Sequence, residues 1–358
     1  MTDGAAVPPP AERAERTPPV ASIVVTNYNY ERFLADAVTS AVEQTIPCQV
    51  VVVDDGSTDG SAAVLDRLAQ SFPELVIIRN RNGGQAAAMN AGWSVATGPI
   101  VLFLDADDRL VPTAVARIAD RFDGDADVTR CLFRLQWIDA DGREIDGSFP
   151  AAGQPLPTGD LRQRVLRNPD DIPWQPTSGN AFRRSALARF MPIPEPPYRI
   201  SADHYLSNLS ALTGVVAAIE APLGHYRVHG ENADHRQGFD LTRARSILVR
   251  TVETRFQLIA HGAALGLETP SEPDSFVSLT NSAMRLASLR GRAAQGGGGG
   301  HPIAGDNRWS LIRAGVQAAV SRDDLPPHRR VMAASWIMAL GIAPTAVVPR
   351  LAALGLTR

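Results

Sequence analysis

The chain is 358 residues long, with 44% hydrophobic, 20% charged and 6% aromatic residues, enough for a large α/β core with an appendage. Its 35 basic and 38 acidic residues leave a net charge of −3, which argues against bulk nucleic-acid binding and predicts no nucleic-acid partner. Every basic residue is arginine, so a phosphate-loop lysine, a Schiff-base lysine and a lysine base are excluded.

Residues 1–19 are rich in Ala, Pro and charge and hold no apolar stretch. They read as a disordered leader, neither signal peptide nor span, and a cytoplasmic location is the expectation. From residue 20, apolar runs at 22–26, 50–53, 75–78 and 100–104 alternate with helical patterns. Phe33, Leu34, Ala37, Val38, Ala41 and Val42 mark the first helix; others are expected over 61–71 and from near Gln85. Short, wholly apolar strands separated by helices predict a parallel sheet buried on both faces. Right-handed crossovers make it an open, doubly wound, Rossmann-like sheet, whose ligands bind at the strands' carboxyl ends. Residues 26–30, 54–59, 80–84 and 105–108 occupy those ends, and all are rich in Asp, Asn or Gly.

Further on, 128–138 alternates like a half-buried strand and 140–142 reads as a turn. Residues 150–176 are Pro-rich and expected to be irregular, 202–211 is helix-like, and 215–219 is an apolar strand. From 240 the pattern is helical, interrupted by five consecutive glycines at 296–300 that read as a flexible linker. The apolar run 331–348 is broken by Ser335, Gly341 and Pro344 and falls short of the roughly 20 residues a span needs. A packed helical hairpin is the first reading, with a helix on a membrane surface and a true span as alternatives. Cys48 and Cys131 sit among apolar residues and read as reduced core thiols.

Asp105 and Asp107 stand at the fourth strand's end with i, i+2 spacing, so both carboxylates can converge on one point. Convergent carboxylates suit a hard cation such as Mg²⁺ or Mn²⁺, although an acidic turn capping the next helix has the same spelling. At the second strand's end, Asp54-Asp55-Gly56-Ser57-Thr58-Asp59 offers carboxylates for a base or ribose. Gly56 there allows close backbone approach, and Ser57 or Asp59 could cap a helix. Thr26-Asn27-Tyr28 closes the first strand with a ring able to stack a base.

Taken in order, 22–29, 52–59, Asn82-x-Gly84 with Asn90-x-Gly92, and Asp105-x-Asp107 fall one βα unit apart. Together they resemble the family 2 glycosyltransferases, nucleotide-sugar-dependent enzymes of the GT-A fold, over residues 20–229. The resemblance implies a nucleotide-sugar site of Thr26, Asn27, Tyr28, Asp54, Asp55, Gly84, Asn90, Asp105 and Arg227. It implies Mn²⁺ or Mg²⁺ on Asp107 and His229, and Asp203 as the base that deprotonates the acceptor. Ser178-Gly179-Asn180 matches a segment between donor and acceptor sites, and Tyr226-Arg227-Val228-His229-Gly230-x-Asn232 the closing motif. Met89 stands where many members have Arg, and Ala202 where they have Glu. The implied reaction is inverting transfer from a nucleotide-diphosphate sugar, UDP-sugar favoured, to a glycan, polysaccharide or glycolipid acceptor. Peripheral membrane contact through the C-terminal helices would accompany a lipid acceptor.

The implied organisation is a nucleotide-binding half (20–110) and an acceptor half (111–239), a helical extension (240–294), a linker (295–306) and a terminal helical segment (307–358). Two competing readings are weighed against this. A dinucleotide enzyme would carry Gly-x-Gly-x-x-Gly after the first strand, and a nucleotidyltransferase a Gly-rich loop with Lys; neither is present. A non-catalytic sugar-nucleotide-binding module would be expected to lose acids, yet Asp54, Asp105, Asp107 and Asp203 are all kept.

Overall fold

The computed structural model describes residues 18–230, 240–272, 278–291, 301–322 and 325–356. The expected leader (apart from Pro18 and Pro19), Asn232 and the five linker glycines lie outside them.

Four parallel strands, β1 (Ala21–Asn27), β2 (Cys48–Asp54), β3 (Val76–Arg79) and β4 (Ile100–Asp105), lie in the order β3-β2-β1-β4. Between them run α1 (Leu34–Val42), α2 (Ser61–Ser71) and α3 (Gln85–Val95). Along β1, Ile23 and Val25 enter a core shared with Leu34 and Leu65, while Val24 enters the opposite core with Ala86 and Met89. A strand covered on both faces has no use for a polar position, hence the unbroken apolar runs. β3 departs from this: its residues are half-buried or exposed because it is the sheet's edge.

The chain then makes β5 (Arg109–Leu110), α4 (Ala114–Asp123), β6 (Val128–Ile138), β7 (Glu144–Phe149), α5 (Arg162–Arg167) and β8 (Asn180–Arg183). It continues through α6 (Arg184–Leu187), α7 (Ala202–Ser210) and β9 (Val215–Arg227). The sheet extends as β4-β8-β6-β9-β5, with β7 on β6. Three expectations are corrected here. β6 is mostly buried and not half-buried, because β8 and β9 flank it. The Pro-rich stretch contains α5. The strand expected to stop at Ile219 runs on to Arg227, because a register shift near Arg134 and Pro222 absorbs the proline. That extension carries Tyr226 and Arg227 to the end of β4, where β5 pairs Arg109 with His225.

Among the described residues, five α-helices follow: α8 (Leu241–Ala264), α9 (Leu279–Arg290), α10 (Arg308–Val320), α11 (Pro327–Ile342) and α12 (Val348–Leu356). Leu258 of α8 packs into the core beside α7. The expected boundary at the linker does not separate packing units: Leu286 of α9 shares one core with Leu311, Ile337, Leu340 and Val348. The run 331–348 is the body of α11 and the start of α12, and no described helix is long and apolar enough to cross a membrane. Both cysteines are free, and burial pushes their thiols up to about 11 at Cys48 and about 12 at Cys131.

The bundle is also tied electrostatically. Buried Asp306 accepts from Arg285 Nε at 2.8 Å and lies 2.7 Å from His301 Nε2. Removing one partner of a buried pair strands the other's charge, so Asp306→Ala should cost about 3–5 kcal/mol. Chemical denaturation followed by circular dichroism checks this. A loss below about 1 kcal/mol would mean that Arg285 finds water instead.

Candidate active site

The carboxyl ends of β1, β2 and β4 open into a cleft of about 480 Å³. Thr26, Asn27, Tyr28, Asp55, Gly84, Asp105, Asp107 and Asp203 all line it, together with Tyr30, Asn82, Gln85, Thr177, Arg199 and Ser201. Tyr28 lines the cleft and is half-exposed. Asp55 clamps the neighbouring loop, accepting from Gly83 N at 2.9 Å and Gly84 N at 2.7 Å. Gly84 has φ +91°, and a Cβ there would meet Arg199 O at 2.5 Å. Gly56 is similarly constrained, at φ +74° with a Cβ placed 2.6 Å from Asn82 N. Asp59, and not Ser57, serves the start of α2, accepting from Ser61 N at 3.0 Å.

After β4 the chain turns through Asp105, Ala106, Asp107 and Asp108. These acids do not cap α4, whose N-cap is Thr113. Asp105 is pushed up to about 7 by burial and then by the charges of Asp107 and Asp203. Asp108 is held well above the carboxylate range by burial, then by Asp107 and Asp105. Its Oδ2 is buried with no hydrogen-bond partner among the described residues. Carboxylate is therefore in surplus, which is the environment a divalent cation neutralises. No three described His, Cys, Asp or Glu side chains close around one point. A cation on Asp107 would thus complete its shell with oxygens of another molecule, as Mg²⁺-type ions do with phosphates.

Asp203 sits in the first turn of α7, which forms another wall of the same cleft. Ser201, just before it, holds left-handed φ +59°, sparsely populated for a non-glycine. The Gln85 side chain reaches across to this point. Its Oε1 accepts from Ala202 N at 2.8 Å, which turns its amide NH₂ toward Thr177 Oγ1 at 3.2 Å and Asp105 Oδ1 at 3.4 Å. One carboxamide therefore spans the two walls. Beneath α7, Arg130 is fully buried and donates to Asn180 Oδ1 at 3.1 Å and Ser207 O at 2.8 Å. Burial pulls its guanidinium down to about 9, opposed by the charge of Asp203. The 178–180 segment serves both walls: Asn180 holds Arg130, while Ser178 Oγ accepts from Asp105 N at 3.1 Å.

Four of the residues expected at the site stand off the cleft wall. Asp54 is buried behind it, accepting from Asn27 Nδ2 at 2.8 Å and Ser57 Oγ at 2.5 Å. Asn90 ties α3 to Ile193 through both ends of its amide, at 2.9 and 2.8 Å. Arg227 braces the acidic turn from behind: Nε donates to Asp107 O at 2.7 Å, its backbone N donates to Asp108 Oδ1 at 2.9 Å, and the guanidinium pairs with Asp36. His229 Nε2 lies 3.0 Å from Asp107 Oδ2, its ring packed against Tyr30 and Phe33. Met89 is buried in the core, and Ala202 is buried with its N–H on Gln85. Sequence reasoning missed Gln85, Thr177 and Arg199; the place of Gln85, directly after a Gly-Gly turn at the sheet's carboxyl edge, was the available signal.

Residues 22–190 match the family model for glycosyl transferase family 2. An uncharacterized glycosyltransferase of Nostoc sp. (strain PCC 7120) is 37% identical over 213 residues, covering 59% of this chain. The chain spans 65% of that relative's own length. S. aureus TarS (residues 1–349) superposes with a TM-score of 0.52 at 15% identity, covering 94% of this chain and 89% of that one. The mannosyltransferase PcManGT of Pyrobaculum calidifontis, solved with GDP-Man and Mn²⁺, gives 0.51 at 17% identity, covering 95% and 86%. The expected open sheet with its helical C-terminal region is thus the GT-A fold.

Proposed function

We propose that the family 2 glycosyltransferase domain at residues 22–190, completed by the chain up to His229, transfers a sugar from a nucleoside-diphosphate sugar to an acceptor hydroxyl with inversion. The observation that carries this is the meeting of Asp203 with Asp105 and Asp107 in one cleft, where the charge of Asp203 reaches Asp105. The donor's base would lie against Tyr28 and the loop clamped by Asp55, and its diphosphate toward Asp107 and Arg199. Asp203 accepts the proton of the acceptor hydroxyl on a carboxylate oxygen as that oxygen attacks the anomeric carbon. The bond from that carbon to the diphosphate oxygen breaks on the other side, so the configuration inverts. Gln85, Thr177 and Ser178 fix Asp105, and Gln85 fixes the start of α7, so both walls keep one spacing.

A divalent cation, Mn²⁺ or Mg²⁺, held by Asp107 with His229 beside it, would supply Lewis-acid neutralisation of the diphosphate charge. The GDP-Man and Mn²⁺ bound by the mannosyltransferase of like fold support a nucleotide-sugar donor and a metal for this chain. A UDP-sugar donor and a glycan or glycolipid acceptor are the remaining elements of the reading.

The test is release of nucleoside diphosphate from UDP- and GDP-sugars, with Mn²⁺ or with chelator, beside thermal unfolding in each mixture. A bound donor should stabilise the fold by about 2.7 kcal/mol at a hundredfold excess over its dissociation constant. No stabilisation by any nucleotide sugar would end the proposal. Gln85 gives a sharper check on the wall spacing. Gln85→Glu can still accept from Ala202 N, but it presents a carboxylate to Asp105. Turnover at saturating donor should fall about tenfold or more, equivalent to about 1.4 kcal/mol, with the unfolding temperature nearly unchanged. Unchanged turnover would show that this side chain serves only the loop.

A further inference from the structure

We infer that the outward face of α11, in the arginine-rich terminal segment, docks on a bilayer bearing anionic lipid headgroups. Ala334, Ile337, Leu340 and Gly341 turn inward. The opposite stripe is Val331, Ser335, Met338 and Ile342, at i, i+4, i+7 and i+11, one continuous line along a helix about 24 Å long. Val331 is 65% exposed, Met338 44%, Ile342 62%, and Met332 beside them 67%. α11 contains no acidic residue. Three exposed apolar side chains on that line, with Met332 beside them and only Ser335 between, mark an interaction surface and not scattered exposure.

Charge selects the occupant. Residues 307–358 hold seven arginines and two aspartates, a net of +5 in a chain whose total is −3, so the remainder carries −8. Arg308, Arg313, Arg329 and Arg350 are exposed, and Arg308 lies 4.6 Å over the ring of exposed Trp309. A second copy of this face would bring like charges together, whereas an anionic leaflet attracts it and repels the acidic body. The helix would lie in the interface with its stripe in the headgroup region, since no described helix suits a span. This inference does not depend on the proposed reaction.

The full chain is sedimented with vesicles of phosphatidylcholine alone and with about one-third phosphatidylglycerol. Binding should be about tenfold stronger on the anionic vesicles and weaken as salt is raised. The variant Val331→Ser/Met332→Ser/Met338→Ser/Ile342→Ser should lose about tenfold or more of it. A second variant, Arg308→Gln/Arg313→Gln/Arg350→Gln, touches no core position and should lose the preference for anionic lipid with thermal unfolding unchanged. Equal binding to both vesicles, or none, overturns the inference. So does wild-type binding by the serine variant. A concentration-dependent dimer in sedimentation equilibrium that the serine variant abolishes would instead make the face a contact between copies.

Discussion

Asp203→Asn is expected to lower turnover by about 10²–10⁴-fold, the usual loss on removing a general base. Asn fills the same space and still accepts hydrogen bonds, but it cannot take a proton at neutral pH. Asp203 has no carboxylate neighbour in sequence, since Ala202 precedes it and His204 follows. Losing one acid also relieves the charge that pushes Asp105 upward, so donor affinity should hold or improve. Calorimetry with the nucleoside diphosphate, run beside turnover, separates the two roles. Normal turnover would remove Asp203 from the chemistry; equal loss of binding and turnover would move it to the donor side.

Asp107→Ala is expected to be as severe for a different reason. Its carboxylate lines the cleft and touches His229, while its backbone oxygen accepts from Arg227. Truncation keeps the backbone contact and removes only the carboxylate, so the acidic turn should stay folded. Turnover should fall by well over tenfold, and Mn²⁺ should no longer enhance nucleotide binding. Retention of more than about a tenth of wild-type turnover, a loss under about 1.4 kcal/mol, would refute the metal assignment.

The first half of the sheet was readable because parallel βα units separate apolar strands with polar ends, and those ends are the site. Asp55, Gly84, Asp105 and Asp107 reach one cleft from strand ends that the βα spacing pointed to, whereas Asp203, which also lines it, was expected only from the family resemblance. What was not readable depends on side-chain direction. Consecutive residues at a strand's end diverge, so Asp54 and Asp55 were indistinguishable until the backbone showed which one enters the cleft. Asn90 lies on a helix, where its direction depends on a partner 103 residues away at Ile193. β7 was invisible because Glu144–Phe149 is largely exposed and carries no apolar alternation. β9 was cut short because Pro222 and Gly224 spell a strand end, and only the register shift against β6 shows otherwise.

The brace of Arg227 on the acidic turn has a consequence in time. Asp108 and Arg227 are 119 residues apart. At about 5–20 residues per second, the turn leaves the ribosome roughly 6–24 s before the strand that secures it. For roughly the first three-fifths of that interval β4 also lacks β8, its antiparallel neighbour (Asn180–Arg183). A growing chain can therefore form the ends of β1, β2 and β4 before Arg227 can brace the acidic turn.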